Sequence, residues 1–428
     1  MAPRPLLLLL FPAHSYRVEA FLAAADRLGA DIALGTDLPG AFLRHGRPVH
    51  EVDFSAPERS AAALAAAAER APFAGVLATN EPSAVVAALV AERLGLPHAT
   101  PAGARAARDK RLLREALASA GVPGASFRML EPHEAPEGIA AQLAFPCVVK
   151  PPMLTGSQGV IRADDPAAFA RAVHRVRAIL ASHPGDAARE PDFHRLLVEE
   201  YLPGKEVALE ALVTRGELRP LALFDKPDDL TGPYFEETLY VTPSRLPLAQ
   251  QAHVVAVAAR AARALGLDHG PVHAELRVDG DRVSVLEIAA RSIGGLCSRV
   301  FQLIAGPLED VLIAHAAGLP LPAPVRGAGA DAGGGAGAAG VMMMPIPRSG
   351  VLRRVSGLEE ARAVPGIEQV TVALSPGEAI RALPEGASYL GFIFAHGPTP
   401  EAVERSLRAS FGALRFELSP LLDVLARP

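Results

Sequence analysis

The chain has 428 residues, a length for two to three domains at ~150 residues each, and half of its residues are hydrophobic while 21% are charged. That balance excludes global disorder and a minimal disulfide-stapled module. With 42 Lys and Arg against 47 Asp and Glu, the formal charge of −5 offers no positive excess for nucleic acid, and two cysteines, Cys147 and Cys297, cannot supply a disulfide framework or a four-ligand zinc site.

The apolar run at residues 6–11 is too short for a signal peptide and is stopped by Pro12, so a buried strand is expected there. No apolar run approaches the ~20 residues that span a bilayer. The expectation is a soluble protein in a reducing, cytoplasmic setting, with no membrane partner. Residues 16–28 are apolar at helical spacing and 31–34 read as a short strand. An Ala-rich helix at 60–71, a strand at 75–78 and a helix at 83–94 before Gly95 continue the alternation. This pattern predicts an open α/β domain with a parallel sheet over residues 1–104.

Asp109 is placed to cap a helix over 110–120, closed off by Gly121 and Pro123. Strand signals then cluster at 145–150, 159–162, 196–201, 206–214, 218–224, 272–278 and 282–288. Strand following strand across short turns predicts an antiparallel, α+β arrangement for a second domain over 105–318. Between the strands, residues 224–243 read as a long acidic loop facing substrate. Residues 319–340, Pro-rich and then Gly/Ala-rich, read as a flexible linker. They contain a formal GxGxxG at 335–340. A dinucleotide fingerprint follows a strand and opens a helix, and this one precedes the strand expected at 341–346, so it reads as compositional coincidence. A C-terminal α/β segment over 341–428 ends the chain.

Three segments carry chemistry. In residues 270–295 two strands flank a turn at Asp279, Gly280 and Asp281. Alternation places even-numbered Val272, Ala274, Leu276, Val278, Leu286 and Ile288 on one apolar face, and His273, Glu275, Arg277 and Glu287 on the other. Glu275 then stands across from Glu287. Two facing carboxylates repel unless they share a cation, which suits a hard metal, magnesium first; equally, Arg277 and Arg291 could simply neutralise two surface glutamates. His273 shares the face and is a candidate for orienting substrate. In the second segment, Lys150 ends a strand ahead of Ser157, Gln158 and Gly159, a phosphate cradle of backbone N–H groups or an ordinary hairpin loop. In the third, a strand breaks at Pro203 and Gly204 before Glu206, a bend able to hydrogen-bond a flat heterocycle or a plain turn.

In this order the segments resemble the ATP-grasp superfamily over residues 105–305, and more closely its carboxylate-amine ligases of the L-amino-acid ligase type. The resemblance implies an ATP-grasp fold with an N-terminal open α/β domain, an antiparallel nucleotide-binding core and a C-terminal α/β segment. It implies that Lys110 and Lys150 contact ATP phosphates, that Ser157, Gln158 and Gly159 form the phosphate loop, that Glu199, Glu200 and Leu202 hold the adenine, and that Glu206 holds the ribose. Glu275 and Glu287 match the paired magnesium ligands, with manganese as the other ion allowed for, and Arg291 matches a basic residue on the transferred phosphate. The family's E-[IV]-N-x-R motif has an asparagine where this chain has Ala289. The implied activity is ATP-dependent amide-bond formation through an acylphosphate, with release of ADP and phosphate. The substrates would be a small-molecule carboxylate and amine, most simply amino acids, with a homodimer as the assembly allowed for. The other readings are a purine-biosynthesis type of ATP-grasp ligase and a degenerate, non-catalytic ATP-binding scaffold.

Overall fold

The computed structural model describes residues 3–13, 15–38, 46–183, 192–294, 296–322 and 337–421. The chain forms two compact units, each assembled from three stretches: residues 1–124, 207–223 and 246–333 in the first, and 125–206, 224–245 and 334–428 in the second.

In the first unit the expected parallel sheet forms in the order Val49–Glu51, Asp31–Thr36, Leu6–Leu10, Gly75–Ala78. The strand Leu6–Leu10 sits inside this sheet, with Leu7 to Leu10 wholly buried, which is why the run is uniformly apolar rather than alternating. Helices Val18–Leu28, Pro57–Ala68 and Glu81–Leu94 connect the strands. The Ala-rich helix starts three residues before the sequence expectation because Pro57 occupies its first turn, where a missing N–H costs nothing. The strand Val49–Glu51, three residues with no buried position, was not foreseen.

The same unit holds the strands Arg282–Ala289, Gly270–Asp279, Lys205–Thr214 and Glu217–Asp225 in that order, with residues 207–223 of the last two belonging to this unit. The helix Leu248–Leu265 packs on the first two strands, and the helices Pro101–Arg108 and Lys110–Ser119 on Arg282–Ala289. Leu8, Val85, Leu113, Leu209, Val254, Leu276 and Val285 belong to one continuous core that joins the parallel and antiparallel sheets.

The second unit contains the antiparallel sheet Phe127–Leu130, Leu196–Glu200, Cys147–Lys150, Ile161–Ala163, with the helix Pro166–Ala181 packed against it. A further antiparallel set, Leu239–Thr242, Ala338–Met344, Gly391–Gly397 and Ile367–Val372, carries the helix Pro400–Ala413. Two sequence expectations change here. The acidic loop is shorter than 224–243, because Leu239–Thr242 is a buried strand. Of the expected linker, residues 323–336 lie outside the described residues, but Ala338, Ala339 and Gly340 are strand. Their small side chains reflect close approach rather than flexibility: a Cβ on Gly340 would come within 2.8 Å of the Tyr240 carbonyl oxygen and 3.0 Å of Val403. The end of the formal GxGxxG is therefore inside a strand.

Candidate functional site

In the first unit the hairpin Gly270–Asp279/Arg282–Ala289 sets the geometry. Register runs Asp279 to Arg282, Val278 to Val283, Arg277 to Ser284 and Leu276 to Val285, then slips by one at a bulge so that Glu275 faces Glu287. Without that bulge Glu275 would face Leu286. The facing carboxylates are as expected, but the alternation before the bulge is reversed on the second strand: Val283 and Val285 are core, and Leu286 is the extra residue, its carbonyl accepting from the buried Arg114 guanidinium at 2.8 Å.

Around this pair the unit gathers cations. Asp109 caps the helix Lys110–Ser119, its carboxylate accepting from the Arg111 N–H at 2.8 Å, and so fixes Lys110, whose ammonium lies 3.8 Å from Glu287. His273 lies 3.4 Å from Glu275 through Nε2 and 3.4 Å from Glu210 through Nδ1. Burial favours the neutral ring, and hydrogen bonding to the two carboxylates more than offsets it, raising His273 from 6.5 to about 9. Burial likewise pushes Glu210 up, with His273 working against it.

Arg291 does not neutralise Glu275 or Glu287 by direct contact. Its Nε donates to Glu81 at 2.8 Å, a second nitrogen reaches the same oxygen, and Nη1 donates to the Ser292 carbonyl at 2.9 Å. Burial opposes ionisation of Glu81, but Arg291 outweighs it and holds the carboxyl below its ordinary range. Beside it the buried Arg17 donates to Ser292 at 2.7 Å and to Glu309 at 2.8 Å, while the Ile293 N–H donates to Glu210 at 2.9 Å, so the segment after the hairpin is fixed on several sides. Sequence reasoning missed Glu81, Glu210, Arg17 and Glu309. The capping box Asn80/Ser83 announces a helix start at Glu81 but nothing in it points to a partner 210 residues away.

The second unit holds the remaining candidates. Lys150 and Glu199, on adjacent strands, form a buried ion pair at 2.7 Å. Glu200 accepts from the Ser126 hydroxyl at 2.9 Å, and Leu202 is buried. Between them Tyr201 stacks on Phe235 with the Arg162 guanidinium over its ring. Glu206 pairs at 2.6 Å with Lys226, which also meets Glu237 at 2.9 Å and lies over the Tyr240 ring. Lys226 and Glu237 sit in the stretch read as an acidic loop, where no periodic pattern singles them out. The loop Thr155–Gly159 uses left-handed backbone at Gly156, Ser157 and Gly159. It is tied down within the unit: the Gly159 N–H donates to the Pro384 carbonyl at 2.9 Å, the Gln158 amide to the Glu385 carbonyl at 2.8 Å, and Arg175 holds the Glu385 carboxylate at 2.7 Å.

The donor set of the hairpin is that of a hard-cation site. Glu275 and Glu287 offer carboxylate oxygens, 16% and 31% exposed at the side chain, and no sulfur donor stands among the residues named here. That set fits magnesium, while Ala289, 1% exposed, supplies no side-chain oxygen. Among the described residues, no helix is long and apolar enough to cross a membrane.

Comparison with known proteins assigns domains along the chain. Residues 143–300 match the ATP-grasp domain, residues 22–98 the ATP-grasp N-terminal domain, and residues 342–419 the L-amino acid ligase C-terminal domain 2. An uncharacterized protein of Sinorhizobium fredii, y4rH, is 23% identical over 352 residues, 82% of this chain and 70% of that protein. The alanine-anticapsin ligase of Bacillus subtilis is 29% identical over 234 residues, 51% of this chain and 48% of the ligase, so this chain matches about half the length of that relative. The crystal structure of an L-amino acid ligase from Bacillus licheniformis superposes with a TM-score of 0.80 at 24% identity, over 98% of this chain and 100% of that one, which establishes the shared fold. The chain thus carries an ATP-grasp domain with its N-terminal domain and a C-terminal domain of the L-amino acid ligase kind, on the ATP-grasp fold.

Proposed function

We propose that this protein is an ATP-dependent carboxylate-amine ligase that joins two small molecules, most simply amino acids, through an amide bond. The observation that carries the reading is the bulged hairpin that turns Glu275 onto Glu287 beside Lys110. A bulge is a costly interruption of a ladder, and here it brings two carboxylates face to face where regular pairing would have kept them apart. The name of the Bacillus subtilis relative, a ligase of alanine and anticapsin, supports amino-acid substrates.

In this reading Glu275 and Glu287 hold magnesium, which when bound would neutralise charge on the phosphates of ATP. Lys110 and Lys150 add positive charge to the phosphates, Ser157, Gln158 and Gly159 line them, Glu199, Glu200 and Leu202 take the adenine and Glu206 the ribose. Arg291, pinned by Glu81 and Ser292, presents a permanently charged group of fixed orientation to the transferred phosphoryl. His273, protonated at neutral pH, orients Glu275 and with it any substrate carboxylate nearby. The acid oxygen attacks the γ-phosphoryl and ADP leaves; the amine nitrogen then attacks the acylphosphate carbonyl, the phosphate leaves with the C–O electron pair, and the nitrogen gives up a proton.

Phosphate release across a panel of amino acids, singly and in pairs, with hydroxylamine as the trap, tests this. The expected result is ADP and a hydroxamate formed only when the correct acid, ATP and magnesium are all present. AMP as the product overturns the reading, as does ADP formation without a trappable acyl group from any acid that stimulates it.

A further inference from the structure

Apart from these charged groups, the first unit has a partly open cavity of about 460 Å³ between the strand Gly75–Ala78, the turn after Lys205–Thr214, the start of Gly270–Asp279 and the end of the helix Leu308–Ala316. Three histidines line it. The rings of His269 and His315 stack with centroids 4.2 Å apart, His315 Nε2 shares a hydrogen bond with the Thr214 hydroxyl at 2.9 Å, and His98 completes the set. The Nδ1 atoms of His98 and His269 are buried without a hydrogen-bond partner. Arg215 stands in the lining and no carboxylate side chain does. The rest of the wall is Ala, Gly, Val, Leu and Pro.

We infer that this cavity is a second binding site, for a small organic anion with a carboxylate or phosphate head and a short apolar body. Orphaned buried ring nitrogens cost free energy that a hydrogen-bonding guest recovers, so a purely apolar occupant is disfavoured. The single full charge in the wall is that of Arg215, so the head is negative. A metal does not suit the set: no trio of His, Cys, Asp or Glu ligand atoms within 4.8 Å includes these histidines among the described residues. Burial pulls His98 and His315 from 6.5 down to about 4, so the rings are neutral at pH 7 and each offers one N–H and one acceptor. The volume falls within the range of small-molecule pockets.

The site stands independently of the ligase reading, and calorimetry on the full chain tests it with hexanoate, hexyl phosphate, hexanol and hexylamine. Saturable binding of hexanoate or hexyl phosphate is expected, the better of the two identifying the head group, with hexanol and hexylamine at least about tenfold weaker. Arg215 has φ of 51°, so Arg215→Asn, which tolerates left-handed backbone, is the variant of choice, with His269→Phe as the second. Each should weaken the anion about tenfold or more while circular dichroism stays unchanged. If His269→Phe fails to fold, Arg215→Asn at the exposed rim decides alone. Absence of anion binding, equal binding of hexanol or hexylamine, or wild-type affinity in folded Arg215→Asn overturns the inference.

Discussion

In the second unit Lys150 lies 2.7 Å from Glu199 and Lys226 lies 2.6 Å from Glu206, with all four side chains at most 8% exposed. In the first unit Lys110 stays 3.8 Å from Glu287 and His273 3.4 Å from Glu275, and these two carboxylates are 31% and 16% exposed. The ingredients are the same and the spacing differs. In short, dry pairs the ammonium N–H groups point at the carboxylate oxygens, and neither partner can be lost without leaving a buried charge. Contacts of 3.4 and 3.8 Å to carboxylates that are partly exposed are looser and less costly to rearrange than those closed pairs. A buried ion pair is thus a poor marker of chemistry by itself; how closely it is shut is the better one.

The hardest test of that contrast is to remove a cation from the closed cluster. Lys226→Met should cost about 3–5 kcal/mol by urea unfolding, because Glu206 and Glu237 lose their shared ammonium, and adding Glu206→Gln should return part of it. A loss below about 1 kcal/mol would mean that the pair is no more structural than a surface bridge. The open cluster should answer in the opposite way. Glu287→Gln is expected to lower turnover about a hundredfold or more and to leave the melting temperature of the metal-free protein within about 2 °C, since it relieves repulsion with Glu275. A stability loss with turnover intact would make Glu287 a structural ion-pair residue instead. The smallest effect sharpens the comparison: Asp109→Ala removes the cap that fixes Lys110 and should cost about 1 kcal/mol in unfolding, with a few-fold loss of turnover.

Local pattern carried much of the architecture. The strand Gly75–Ala78 and the helix from Lys110 were readable because apolar spacing, caps and glycine stops agree there. The facing of Glu275 and Glu287 was readable from a turn centred on Asp281; the strands in fact turn between Gly280 and Asp281, and a bulge with no local signature restores the facing. Lys150 was readable as the end of a strand, but its burial against Glu199 depends on a strand about 50 residues further on. Glu81, which holds Arg291, is the extreme case. Hydrophobic period reports which face of an element is buried, and it carries no record of which distant charge that face will meet. The small residues 338–340 failed for another reason: Ala and Gly can mean either an unstructured tract or a backbone pressed close to its neighbour, and only the neighbour distinguishes them.

The loop at residues 155–159 takes two of its anchors from the carbonyls of Pro384 and Glu385, residues that belong to the C-terminal stretch of the chain. Exchanging that stretch between related ligases, a common route to hybrid enzymes, would therefore also exchange the footing of the glycine loop. A crossover placed between residues 345 and 380 imports foreign partners for Gly159, Gln158 and Arg175 along with the new module. Hybrids that keep residues 383–387 native should retain the loop's own setting whatever else is grafted around it, which makes this five-residue stretch the boundary that recombination should respect.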